Sequence, residues 1–190
     1  MPAATSTSQR DRILAAALEL IAAHGVEGMT MRQLAAACDL NIATLYHYVG
    51  SKSDLLGAIV DERHYDEGLR RLTLPVDPAR PPRARFEQFF RDLATQSLSE
   101  LRVWRLLIGE SLRDDAVALA EARRLSRLLE EAVDRWLGEL FPELPGDPAA
   151  AGSVVSGQLL AVFLEALLLG DDPDRLAARA AALALILFPT

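Results

Sequence analysis

The chain has 190 residues but only one cysteine and one lysine. The lone thiol, Cys38, excludes an internal disulfide framework and fits a reducing, cytoplasmic compartment. Strand signals are scarce, while Ala, Leu, Arg and Glu dominate, so an all-α chain is expected. Convergent catalytic groups are missing as well. His24, His47 and His64 are scattered, Cys38 stands apart from them, and no Gly-rich phosphate loop occurs. Neither an enzyme nor a bound cofactor or metal is expected. The N-terminal MPAATSTSQR has no apolar centre and is no signal peptide. The longest apolar run, residues 159–169, is broken by Glu165 and falls short of the roughly 20 residues a bilayer requires. It predicts no membrane association.

An excess of positive charge is absent too. The net charge is −7, and residues 1–75 carry seven basic side chains against nine acidic ones. That argues against a generic nucleic-acid coat, so any DNA binding must rest on local placement of a few groups. The placement is favourable in one window. No acid lies between Leu40 and Ser53, and the single lysine, Lys52, sits inside it.

What is present is apolar helix. Half of the chain, 51%, is hydrophobic, enough for a sizeable core in one domain or two small ones. Residues 1–8 read as an N-terminal arm. A helix over 9–24 follows, with Leu14, Ala17, Leu18, Ile21 and Ala22 on one stripe and Gly25 where a left-handed cap is wanted. Thr30 and Gln33 form a capping box that opens a second helix. Asp39 and Leu40 make a turn, Asn41 is a good N-cap, and a third helix spans 42–49. Gly50 ends it, and Ser51 to Asp54 repeats the capping pattern for a helix reaching about residue 72.

Residues 30–52 are therefore two short helices joined by a tight turn, with another helix starting at once. This is the layout of a helix-turn-helix, whose second helix enters the DNA major groove. At about 100° per residue, Leu45 and Val49 lie on one side of that helix and Ala43, Thr44 and His47 on the other. Leu45 and Val49 should anchor it. Thr44 and His47 offer hydrogen bonds to base edges, and Ala43 and Ile42 offer apolar contact to a thymine methyl. Tyr46 and Tyr48 flank this face and can donate to phosphates, as can Lys52, Thr30 and Arg32. Half-buried packing of the Tyr-His-Tyr run is the plain alternative.

Residues 10–59 resemble the DNA-binding signature of the TetR family of bacterial transcriptional regulators. Thr30, Arg32, Leu34, Ala35, Thr44, Leu45, Tyr46, Ser51 and Lys52 all fall in register. Asp39 departs from the glycine the family usually has, and Ile42 from a polar residue. The resemblance implies that Thr30, Arg32, Asn41, Ile42, Ala43, Thr44, Tyr46, His47, Tyr48 and Lys52 touch DNA. It also implies phosphate contact from the first turn of the first helix, at Arg10 and Arg12.

Pro75, Pro78, Pro81 and Pro82 mark a break. The expected division is a helix-turn-helix domain over 1–72 and a ligand-binding and dimerisation domain over 73–190. The latter should hold helices over 83–98, 101–112, 114–140, 149–169 and from about 173 to 188, making about nine in all. The last two are apolar nearly all round, and surplus apolar faces imply a partner. A homodimer is expected, closed by Leu159, Phe163, Leu167, Leu176, Ala180, Leu183, Ala184 and Leu187, reading a double-stranded DNA operator with inverted-repeat symmetry. The resemblance implies a repressor released by a small apolar or cationic effector. Candidate pocket residues are Phe86, Phe89, Phe90, Trp104, Leu107, Ile108 and Phe163, with Glu110 and Glu165 as polar contacts. Glu165 could instead pair with an arginine across the dimer. A helical interaction protein with a purely structural helix-turn-helix and a ligand-independent regulator remain as alternatives.

Overall fold

The computed structural model describes residues 8–52 and 54–189, the side chain of Asp66 excepted. The expected N-terminal arm lies outside the described residues apart from Ser8, as does Ser53. Among the described residues all regular structure is helical. The chain divides into two compact units, Met1–Tyr65 with Arg102–Arg124, and Asp66–Leu101 with Leu125–Thr190.

The first unit contains α1 (Gln9–Gly28), α2 (Met31–Ala37), α3 (Ile42–Val49) and α4 (Asp54–Glu62). Each start has a local cause. Ser8 and Asp11 form a reciprocal capping box for α1, and Thr30 with Gln33 forms another for α2. The Asn41 side chain accepts from the Thr44 N–H at 2.8 Å to cap α3. Met29 and Leu34 hold the two hydrophobic-staple positions around the α2 cap, and both are fully buried. Gly25 interrupts α1 with φ 72°, a left-handed turn that a side chain would strain. Ile13, Leu14, Ala17, Leu18 and Ile21 of α1 form the buried stripe onto which α2 and α4 pack.

The helix expected over 54–72 is two helices. It breaks at Arg63 and His64, where three-residue turns close (Arg63 N–H to Val60 O, 3.2 Å; His64 N–H to Asp61 O, 3.1 Å) and His64 takes φ 47°. A second segment, α5 (Tyr65–Arg71), follows. With α6 (Pro82–Leu98), α7 (Leu101–Ser111), α8 (Ala116–Leu140), α9 (Pro148–Leu169) and α10 (Pro173–Leu187), ten helical segments are described, one more than the count expected because of that break.

In the second unit α10 packs along α6, and α9 packs on both. Phe86 of α6 stacks on Phe90 and also meets Phe89, Phe141 and Phe188, while Phe89 meets Phe141 and Trp136 edge-on. By length and composition α9 could cross a membrane, with 22 residues and a mean hydropathy of 1.8. The apolar run at 159–169 gave the opposite expectation because it left out the small and apolar residues 148–158. Here one face of α9 is buried against α6 and α10.

Candidate nucleic-acid interface

The anchoring of α3 follows its sequence period. Leu45 and Val49 are buried, and burying a Leu side chain contributes about 1.5–3 kcal/mol. Ile42, Ala43, Tyr46, His47 and Tyr48 are exposed, and Thr44 is half-buried. Tyr46, which could have lain against α1, is 49% exposed. His47 and Tyr48 touch edge to face at 6.0 Å. The outward surface thus has three aromatic rings, two apolar groups and no carboxylate.

The flanks carry the groups expected at phosphates. Thr30 and Arg32 are exposed at the start of α2. The Thr30 hydroxyl is occupied with Gln33, accepting its N–H at 3.2 Å and donating to its Oε1 at 2.8 Å. Lys52 is half-buried, and its Nζ donates to the Glu27 carbonyl at 2.8 Å. At the start of α4 two backbone N–H groups are already occupied by the cap. The Ser51 N–H donates to Asp54 at 2.8 Å, and the Asp54 N–H donates to the Ser51 hydroxyl at 3.3 Å. The Ser51 hydroxyl, then its N–H, holds the Asp54 carboxyl below the usual carboxylate range; Ser8 does the same for Asp11.

Arg10 has a role its sequence position did not reveal. Its Nη1 donates to the Tyr48 carbonyl at 2.8 Å, and its Nε lies 3.4 Å from Glu62. The guanidinium therefore closes the C-terminal end of α3, where cations are favoured by the helix dipole. Only its partners reveal this, and they lie 38 and 52 residues away. Beneath the turn, burial pushes the Cys38 thiol up from its ordinary value.

Residues 13–59 match the family model described as bacterial regulatory proteins, tetR family. Over this segment the chain is similar to TetR-family regulators. It is 30% identical over 115 residues to an uncharacterized HTH-type transcriptional regulator in the dhlA 5′ region of Xanthobacter autotrophicus, an alignment covering 58% of this chain and 56% of that protein. The chain thus matches a little over half the length of this relative. Among solved structures it is similar to Salmonella enterica GusR, at 16% identity over all of both chains with a TM-score of 0.73. It is also similar to AibR, solved in complex with isovaleryl coenzyme A and operator DNA, at 24% identity over 96% of this chain and 99% of that one, with a TM-score of 0.57. These two likenesses concern the fold.

The effector candidates divide between the two units. Trp104, Leu107, Ile108 and Glu110 belong to the first unit, while Phe86, Phe89, Phe90, Phe163 and Glu165 belong to the second. The three phenylalanines of α6 are fully buried in the aromatic cluster. Glu110 is 4% exposed, and its Oε1 accepts from the Val26 N–H at 3.3 Å and from Arg113 at 2.7 Å. Glu165 pairs with Arg179 of α10 in the same chain, and so its arginine is intramolecular. Glu165 also lines a small cavity with Leu98, Val162, Arg175 and Leu176.

The residues expected at a dimer interface divide in a similar way. Leu159, Phe163, Ala180, Leu183 and Ala184 are buried, and Leu167, Leu176 and Leu187 are half-buried. The outward apolar stripe of α9 is instead Val154, Gly157, Leu160, Leu164 and Leu168, and that of α10 includes Leu185 and Ile186. Both helices are apolar on several faces, so periodicity alone could not select the inward one.

Proposed function

We propose that the chain is a DNA-binding transcriptional regulator, a repressor that binds an inverted-repeat operator as a homodimer and is released by a small molecule. Residues 1–72 read DNA, and residues 73–190 carry the dimer contact and the effector site. The observation that carries this reading is α3. It is anchored by Leu45 and Val49 and presents Ile42, Ala43, Thr44, Tyr46, His47 and Tyr48 outward with no acid among them. A helix of that polarity suits an electronegative groove, even in a chain of net charge −7. Thr44 and His47 read base edges, while Arg32, Lys52, Tyr46 and Tyr48 set the register on phosphates.

The uncovered apolar stripe of α9 and α10 supports the dimer, because an exposed apolar surface of that kind calls for a partner. Two recognition helices related by a two-fold axis require two half-sites in inverted repeat. The AibR structure, holding both a coenzyme A thioester and operator DNA, supports control by a ligand. Such a ligand acts by favouring a conformation that binds the operator poorly. Genomic fragments selected on the protein, then footprinted and titrated at two salt concentrations, test the reading. Paired protected half-sites and a steep loss of affinity with salt are expected. A single unpaired half-site rules out the dimeric mode, and the absence of any preferred fragment rules out the regulator.

A further inference from the structure

In the first unit, three polar contacts join residues 102–124 to α1, α4 and the turn before α2. Arg102 of α7 pairs with Glu19 of α1, Arg124 of α8 pairs with Asp61 of α4, and Glu110 of α7 accepts from Val26. The first two are not equivalent to the third. Arg102 and Glu19 are both largely exposed, as is Asp61, and exposed pairs contribute little. Glu110 is buried, and a buried carboxylate persists only where hydrogen bonds compensate its lost hydration. Its Oε1 accepts from both the Val26 N–H and Arg113.

The next residue has a contact of its own. The Glu27 carbonyl accepts from Lys52, which precedes α4. Gly25 sits at φ 72°, and a Cβ there would lie 3.6 Å from the Arg113 guanidinium and 3.8 Å from Glu110. Residues 25–27 are therefore a short turn held by α7 through the Val26 N–H and by Lys52, in the α3–α4 junction, through the Glu27 carbonyl. Directly after it, Met29 N–H donates to the Gly25 carbonyl and Thr30 caps α2. The course of this turn fixes where α2 begins, and α2 carries α3.

We propose that Glu110 is a positioning residue for DNA reading: its carboxylate holds the turn at Val26, so that the placement of α7 sets the placement of α2 and α3. The proposal rests on the DNA-binding reading above. Phosphate contacts come from long, compliant side chains, whereas base contacts demand close registration. Loss of Glu110 is therefore expected to act on the preference for operator over random duplex.

The test uses the full chain, the operator duplex recovered by genomic selection and a random duplex, at a temperature where circular dichroism shows each variant folded. Glu110→Leu is expected to lower the operator-to-random affinity ratio about tenfold, comparable to losing one base contact, with the salt slope unchanged. Glu110→Gln keeps the size and an acceptor for Val26, so it remains informative if the Leu variant fails to fold. Losing the charge that faces Arg113, it is expected to lower the ratio about threefold. Arg102→Gln, which breaks an exposed pair, should leave the ratio unchanged. Folded Glu110 variants with the wild-type ratio overturn the proposal alone. A wild-type chain with no operator preference overturns both this proposal and the regulator reading.

Discussion

Lys52 holds the only side-chain ammonium of the protein, and two acceptors have a use for it. One N–H is spent on the Glu27 carbonyl at 2.8 Å. An ammonium has three donors, so two remain for a phosphate, and the turn contact orients them. Lys52→Met should weaken binding to every DNA sequence alike and reduce the slope of log affinity against log salt by about 0.9. An unchanged slope would confine Lys52 to the turn. His47→Ala should do the opposite, relaxing base preference by about 1–3 kcal/mol at one position with the slope intact. The outward position of His47 was legible from helical period alone, because Leu45 and Val49 fix which face of α3 is hidden. The role of Arg10 was not, since no local pattern connects it to Tyr48 and Glu62. Asp39 offers a further check at this scale. It sits at φ 55°, which costs about 1–2 kcal/mol without glycine. The greater chain entropy of glycine returns about 0.5–1 kcal/mol of that. Asp39→Gly should still stabilise by about 0.5–1 kcal/mol, seen as a rise in Tm of about 2–3 °C.

Helix ends were the most legible elements. The caps at Thr30, Asn41 and Ser51 are written as residue pairs three apart, and each forms the hydrogen bonds its pattern demands. The Ser8–Asp11 box was hidden in what read as an arm. The break at Arg63 and His64 carries no glycine or proline, so nothing in the local sequence announces it. The caps also give α1 and α4 a shared sensitivity to acid. The carboxyls of Asp11 and Asp54 are held below 3.8, mainly by the hydroxyls of Ser8 and Ser51. A carboxyl lowered in the folded state binds fewer protons there than in the unfolded chain, so its stabilisation is complete above that ordinary value. It disappears as pH falls through the lower, folded value. Thermal melts should thus be insensitive to these groups from neutrality to about pH 5 and drop below about pH 4. In Asp54→Asn the drop should be shallower and the neutral Tm lower. A drop of wild-type steepness in Asp54→Asn would remove the α4 cap from this account.

At the scale of the whole molecule, the sequence disclosed a surplus of apolar helix and not its disposition. Leu159 and Leu160 are neighbours of identical chemistry, yet one is buried at 1% exposure and the other is 46% exposed. Only the packing of α9 on α6 and α10 separates them. The dimer proposal can therefore be tested by residue pairs that periodicity could not distinguish. Leu159→Ala removes core volume and should cost about 2–5 kcal/mol of stability, while sedimentation still reports a dimer. The double change Leu160→Glu with Leu164→Glu places two carboxylates on the outward stripe. Neither position is enclosed within the unit, so helical content and Tm should change little. Two charges on each copy would face a low-dielectric contact and should split the dimer at micromolar concentration. With the two half-site contacts no longer joined, operator affinity should fall by about 10²–10⁴, and the affinity of one half-site should be retained. A charged variant that still sediments as a dimer would move the interface away from α9. A monomeric variant that kept full operator affinity would show that one recognition helix suffices, and with it the inverted repeat would lose its physical reason.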